Sequence, residues 1–161
     1  MQAYTAKNPL RFKLANEEDT IRLGAKLADL LPLRPHIWLH GDLGAGKSTL
    51  ARACLRSLGV TGAIKSPTYT LVERYPLEQG EAWHLDLYRI ASADELEYLG
   101  LDDADVRFWL IEWPENGRGF LQPPDLEIFL SYGDDGGRIA DFFTTNRAIE
   151  QSITLYKEEF H

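Results

Sequence analysis

The sequence predicts an α/β layered fold with a mixed central sheet and flanking helices, and three observations carry that expectation. A short apolar run, HIWLHG, leads through a glycine-rich stretch into STLARACLRSL, whose apolar residues recur at helical spacing. A second run, VRFWLIEW (106–113), is almost continuously apolar, as suits a strand buried on both faces. Two strand-like segments, DLEIFLSYG (125–133) and RIADFFTT (138–145), follow in succession with aspartates and glycines between them, the pattern of an antiparallel pair. Helices interleaved with strands, then paired strands, define a layered sheet rather than a bundle or a sandwich.

The remaining elements follow in chain order. Residues 1–15 read as an irregular arm ending in an edge strand, RFKLA. Asn16 caps a helix running to about Leu31, with Glu17, Glu18 and Asp19 in the first turn, where negative charge is favoured; Pro32 and Pro35 end it. Gly59 and Gly62 close the strand–loop–helix unit. TYTLVERY (68–75) and AWHLDLYR (82–89) are rich in β-branched and aromatic residues and read as a hairpin turning near Gly80. Ser92 with Glu95 makes a capping box, so a short helix is expected over 93–99, stopping at Gly100. Residues 146–161 form a tail, helical or partly disordered. The 161 residues, 44% of them apolar, suffice for one domain spanning 1–161 with a core that needs no disulfide or metal staple.

The glycine-rich stretch carries the chemistry. GDLGAGKS, Gly41 to Ser48, fits G-x-x-x-x-G-K-[ST], so the layered fold is expected to be of the P-loop NTPase type. Gly41 and Gly46 supply backbone angles that a β-carbon forbids. Amides along Asp42, Leu43, Gly44 and Ala45 can then turn inward as an anion nest. The helix that follows presents its positive end to the same phosphates. Lys47 reaches the β- and γ-phosphates, and the Ser48 hydroxyl is placed to ligate Mg²⁺.

A phosphate loop alone names no reaction; a carboxylate near the cation and a group that orients water are also needed. Glu112 ends the apolar strand FWLIEW, where a lone acid is costly unless it meets a metal or a partner. Asp86 sits in HLDLYR, and strand alternation puts His84, Asp86 and Tyr88 on one face. For each acid the alternative is an ordinary ion pair or a sheet-edge hydrogen bond. KSPTYTLVE (65–73) brings Thr68 and Thr70 just after Pro67, in the form of a loop that senses a γ-phosphate, or an ordinary loop entering a strand. His40 and His84 flank strand ends and are expected to be satisfied structural histidines. Trp113 belongs either to the core or beside the site. Cys54, alone on the apolar face of its helix, is expected to be buried and inert.

Charge is unevenly spread. Residues 1–75 hold 11 Lys or Arg against 6 Asp or Glu, while residues 76–161 hold 6 against 19, within a net charge of −8. The second half is a solvated acidic surface, or a face that docks a basic protein or edges a metal site. Extensive grip on a nucleic-acid backbone does not suit such a chain. One cysteine, no signal-like start and no long apolar run together predict a cytoplasmic protein without a membrane segment.

HGDLGAGKSTL, KSPTYTLVE, HLDLYR, DELEYLG and LIEWPE occur here in the order and approximate spacing of the TsaE (YjeE) family, which the chain resembles over about residues 14 to 130. The resemblance implies a small bacterial P-loop ATPase needed for N6-threonylcarbamoyladenosine at position 37 of tRNAs that read ANN codons. It implies ATP and Mg²⁺ as cofactors, and TsaB–TsaD as the partner complex, with tRNA met only through that complex. Thr49 matches the second hydroxyl of the family's loop, and Ser48 stands where many members have Thr. The switch-like segment falls on Ser66 to Glu73, with Thr68 beside the nucleotide. The acid important for hydrolysis falls on Asp86, and the Mg²⁺-associated acid on Glu112, followed by Trp113. The expected catalytic set is therefore Lys47, Asp86 and Glu112, and the expected metal set Ser48, Glu112 and Asp86.

Three other functions share parts of this pattern. A small-molecule kinase usually closes an Arg-rich lid, yet residues 90–145 hold only Arg107, Arg118 and Arg138. A GTPase switch needs N-K-x-D, and none of Asn8, Asn16, Asn116 and Asn146 precedes a lysine. A non-hydrolysing nucleotide-binding module is equally compatible with the sequence. Replacing Glu112 with Ala is expected to weaken Mg²⁺-dependent binding while sparing the fold.

Overall fold

A computed structural model describes residues 8–32, 34–100 and 105–160 of the chain. Its centre is a seven-stranded sheet in the order β1-β7-β6-β2-β5-β4-β3. The strands are β1 (Leu10–Leu14), β2 (His36–His40), β3 (Val72–Pro76), β4 (Glu81–Asp86), β5 (Val106–Glu112), β6 (Leu126–Tyr132) and β7 (Arg138–Phe143). Strands β4, β5, β2 and β6 run parallel, whereas β3, β7 and β1 pair antiparallel to their neighbours, so the sheet is mixed. The predicted α/β architecture is the observed one, with RFKLA at the sheet edge. Residues 1–7 of the expected arm lie outside the described residues.

Local signals explain the helix boundaries. Helix α1 (Glu17–Leu30) starts where the Asn16 side chain accepts the amide of Asp19, satisfying one of the unpaired donors of its first turn. Helix α2 (Lys47–Ser57) starts at Gly46, which has φ +108° and no capping side chain. Ser92 and Glu95 form the reciprocal capping box, although the turn they start (Ala93–Leu99) is a 3₁₀ helix. Gly100 ends it in the left-handed conformation.

Helix α3 (Arg147–Glu159) settles the alternatives for the tail. Asn146 caps it by accepting the Ile149 amide, and Ile149, Ile153 and Phe160 are buried. Arg22 of α1 donates to the Phe160 carbonyl at 2.7 Å and covers its ring at 4.0 Å. Phe12 of β1 meets Phe160 edge-on at 5.3 Å. These partners are distant in sequence, which is why the tail carries no clear local signal.

The main core packs α1, α2 and α3 against the even-numbered side chains of β1, β5, β6 and β7, together with Ile37 and Leu39 of β2. A second cluster on the opposite face gathers Trp83, Leu85, Trp109 and Ile111 under the 3₁₀ turn. VRFWLIE is thus buried on both faces as expected, and Cys54 is buried, with its thiol pKa raised by desolvation.

Two strand expectations need correction. Residues 67–70 form a turn, and β3 begins only at Val72, because Leu71 is held at φ +72° with its amide on the Pro67 carbonyl. β4 ends at Asp86, so Tyr88 does not extend the His84–Asp86 face. Instead the Tyr88 amide donates to Asp86 Oδ1 and its ring packs on Trp113 at 4.9 Å.

The α1–α2 contact depends on Gly24. A Cβ there would lie 2.5 Å from the Leu50 carbonyl oxygen and 2.9 Å from Ala53 Cβ. Helical backbone cannot yield as a side-chain tip can. Gly24→Ala is therefore expected to destabilise the fold by about 1–3 kcal/mol, despite alanine's better helix propensity. Calorimetry should show a lower melting midpoint; an unchanged or higher one would mean the helices are not packed this closely.

Candidate functional site

The parallel strands end together at one edge of the sheet, where open α/β sheets place their ligands. β2 delivers Gly41 to Ser48 there, β4 delivers Asp86, and β5 delivers Glu112. Asp86 and Glu112 are register partners on adjacent parallel strands, so their side chains share the face that also carries α2. Leu39, the last but one residue of β2, is the register partner of Glu112 on its other side.

The loop's shape follows from its glycines. Gly41 has φ +148°, and a Cβ there would strike the Leu130 carbonyl at 2.5 Å. At Gly46 a Cβ would make only an ordinary contact with Thr20 Cγ2 at 3.8 Å, so the glycine is required for its positive φ. The Ala45 amide bonds the Asp42 carbonyl at 3.1 Å, curling the loop. The β6–β7 hairpin supports it from outside, where the Tyr132 hydroxyl donates to the Leu43 carbonyl at 3.2 Å. The uncapped N-terminus of α2, with its unpaired first-turn amides, is the donor arrangement that anions take.

A cleft of about 200 Å³ is lined by Leu43, Gly44, Gly46, Lys47, Ser48, Thr49, Ser66, Thr68, Asp86 and Glu112. Most of the predicted residues therefore meet in one place. Gly41, Asp42 and Trp113 line a smaller adjoining recess that Lys47 shares, whereas Ala45 is buried in the core beneath the loop. Ser66 contributes a hydroxyl 2.7 Å from that of Thr68. Thr68 in turn reaches Asp86 Oδ2 at 3.5 Å, a long contact.

Two buried side chains converge on the buried acid Glu112. Lys47 Nζ lies 3.8 Å from Oε1, and His84 Nε2 lies 2.6 Å from Oε2. Lys47 is only 6% exposed, and its ammonium also sits 4.5 Å from the centre of the Trp113 ring. Trp113 itself holds φ +56°, an uncommon conformation for a bulky residue and one that swings its ring beside the lysine. Burial raises the Asp86 carboxyl above the ordinary carboxylate value; the Tyr88 amide opposes this, Glu112 adds to it, and Lys47 and His84 oppose it. The expectation that His84 is simply a satisfied histidine misses its contact with Glu112. The signal was its alternation with Asp86; what the sequence lacked was the β4–β5 register. His40 pairs instead with buried Glu127 at 2.9 Å on the other face of β2.

Among the described residues, no three His, Cys, Asp or Glu side chains gather as a protein-only metal cage. Ser48, Asp86 and Glu112 nonetheless put hard oxygen donors on one cleft, a set suited to Mg²⁺ that also binds substrate phosphates. No helix among the described residues is long and apolar enough to cross a membrane.

Fold and loop together define an α/β protein of the P-loop type. The model of the family described as "Threonylcarbamoyl adenosine biosynthesis protein TsaE" matches residues 14–140. The tRNA threonylcarbamoyladenosine biosynthesis protein TsaE of Haemophilus influenzae is 41% identical over 141 residues, covering 83% of this chain and 89% of its own length. The protein of the same name from Synechocystis is 41% identical over 115 residues, covering 68% of this chain and 73% of its own. The crystal structure of Bacillus subtilis YdiB superimposes with a TM-score of 0.70 at 25% identity, covering 94% of this chain and 96% of that one. The chain belongs to the TsaE family of tRNA threonylcarbamoyladenosine biosynthesis.

Proposed function

We propose that the chain binds and hydrolyses Mg²⁺·ATP in the cleft between the glycine loop and the ends of β4 and β5. The observation that carries this reading is the convergence of Lys47, Ser48, Asp86 and Glu112, two of them in-register acids, on one cleft beside an uncapped helix N-terminus.

The loop amides and the α2 N-terminus take the β-phosphate. Lys47 leaves Glu112 Oε1 and engages the β- and γ-phosphate oxygens. The Ser48 hydroxyl and one or both carboxylates hold Mg²⁺, which when bound neutralises charge across those oxygens. Asp86 and Glu112 orient the attacking water. Thr68, on a turn adjoining Asp86, reports whether the γ-phosphate is present, and Trp113 walls the lysine from solvent. Exposed side chains surround the mouth: Tyr69 is 84% exposed and Leu43 75%. A partner can read the nucleotide state there.

Likeness to the TsaE family supports a TsaB–TsaD-type complex as that partner, with tRNA met through the complex and the work done in the cytoplasm. Turnover then resets the assembly rather than modifying a metabolite. Phosphate release from ATP should be slow for the chain alone and faster with TsaB–TsaD, and Lys47→Ala should remove both rates. Equal slow release by wild type and variant under both conditions would make the chain a non-hydrolysing module. Rapid phosphate transfer to a metabolite by the chain alone would make it a kinase.

A further inference from the structure

We propose that His84 is a positioning residue that fixes the Glu112 carboxylate through its Nε2–H, leaving Oε1 as the oxygen available to the cleft. This deepens the reading above and rests on it. His84 is buried, two residues before Asp86 on the same face of β4, with Nε2 2.6 Å from Glu112 Oε2. An ionised carboxylate only accepts, so the proton of this contact is on Nε2. The other ring nitrogen, Nδ1, is buried with no hydrogen-bond partner.

The two oxygens of Glu112 then have different tasks. Oε2 is committed to His84. Oε1 faces Lys47 at 3.8 Å, a distance that leaves no direct hydrogen bond to break when the ammonium turns to phosphate. The terminal torsion of glutamate is soft, and without His84 the freed carboxylate would sweep a range of orientations. Groups that orient a ligating carboxylate typically change metal affinity or activity by about 10- to 100-fold.

The test compares His84→Leu, which fills similar space without a donor, with His84→Gln, whose amide can donate at comparable reach. Calorimetric titration of a non-hydrolysable ATP analogue with Mg²⁺ and with EDTA separates the two terms of binding. His84→Leu should leave the EDTA affinity unchanged, lower the Mg²⁺-dependent gain, and slow phosphate release by about 10- to 100-fold. His84→Gln should restore most of both. Equal losses in the two variants, or full Mg²⁺ dependence in His84→Leu, overturns the assignment. An imidazole ¹⁵N NMR spectrum of the nucleotide-free chain decides it even if wild type proves not to bind nucleotide. A protected Nε2–H, and loss of that protection in Glu112→Ala, support it; a ring that carries no proton on Nε2 overturns it.

Discussion

Lys47→Ala is expected to lower affinity for Mg²⁺·ATP by about 10- to 150-fold, the effect of losing one charge-assisted hydrogen bond worth roughly 1.5–3 kcal/mol. Lys47 is the first residue of α2, and its ammonium is parked between Glu112 and the Trp113 ring. In that position it balances a buried acid; on nucleotide binding it has only to turn toward the loop. Alanine is well suited to a helix, and Glu112 keeps His84, so the melting midpoint should stay within a few degrees of wild type. Calorimetric titration beside thermal melting separates the two effects. Undiminished affinity in the variant would remove Lys47 from the site.

Glu112→Ala should act on stability as well as on binding. From the sequence alone the acid serves a metal and its loss spares the fold. In the structure it is the shared partner of Lys47 and His84, all three buried. Removing one member of a buried pair costs about 3–5 kcal/mol when the remaining charge is sealed in. Here the ammonium borders an open cleft and keeps Trp113. A loss of about 1–3 kcal/mol is therefore expected, lowering the midpoint by roughly 2–4 °C per kcal/mol for a chain of this size. Glu112→Gln keeps an acceptor for His84 and should lose less stability, yet share the loss of Mg²⁺-dependent nucleotide binding. A Glu112→Ala variant that melts with wild type and keeps its Mg²⁺ dependence would contradict both roles.

Elements with local chemical signals were legible from sequence. Asn16, the Ser92–Glu95 box and Gly100 mark boundaries because caps act within one turn. The glycine loop was legible because its spacing is its mechanism. Where the reading failed or left alternatives open, distant contacts decided the outcome. β3 is shorter than its β-branched run because Leu71 is held in a turn whose carbonyl accepts the Asp86 amide. α3 is ordered by Phe12 and Arg22, more than a hundred residues away. The candidate site shows the same division. Asp86 and Glu112 stood out as acids in apolar strands, but the contact of His84 with Glu112 requires the pairing of β4 with β5. Tyr132, which braces Leu43, carries no sequence signal for that task.

The central claim is that the cleft formed by the glycine loop, Asp86 and Glu112 is a Mg²⁺·ATP site. Calorimetric titration of the full chain with a non-hydrolysable ATP analogue, with Mg²⁺ and then with EDTA, tests it most directly. The account predicts one site per chain, affinity weakened about tenfold or more by EDTA and again by Lys47→Ala, and no comparable binding of the GTP analogue. Equal heats from wild type and Lys47→Ala, or no binding by wild type at millimolar analogue, would contradict it.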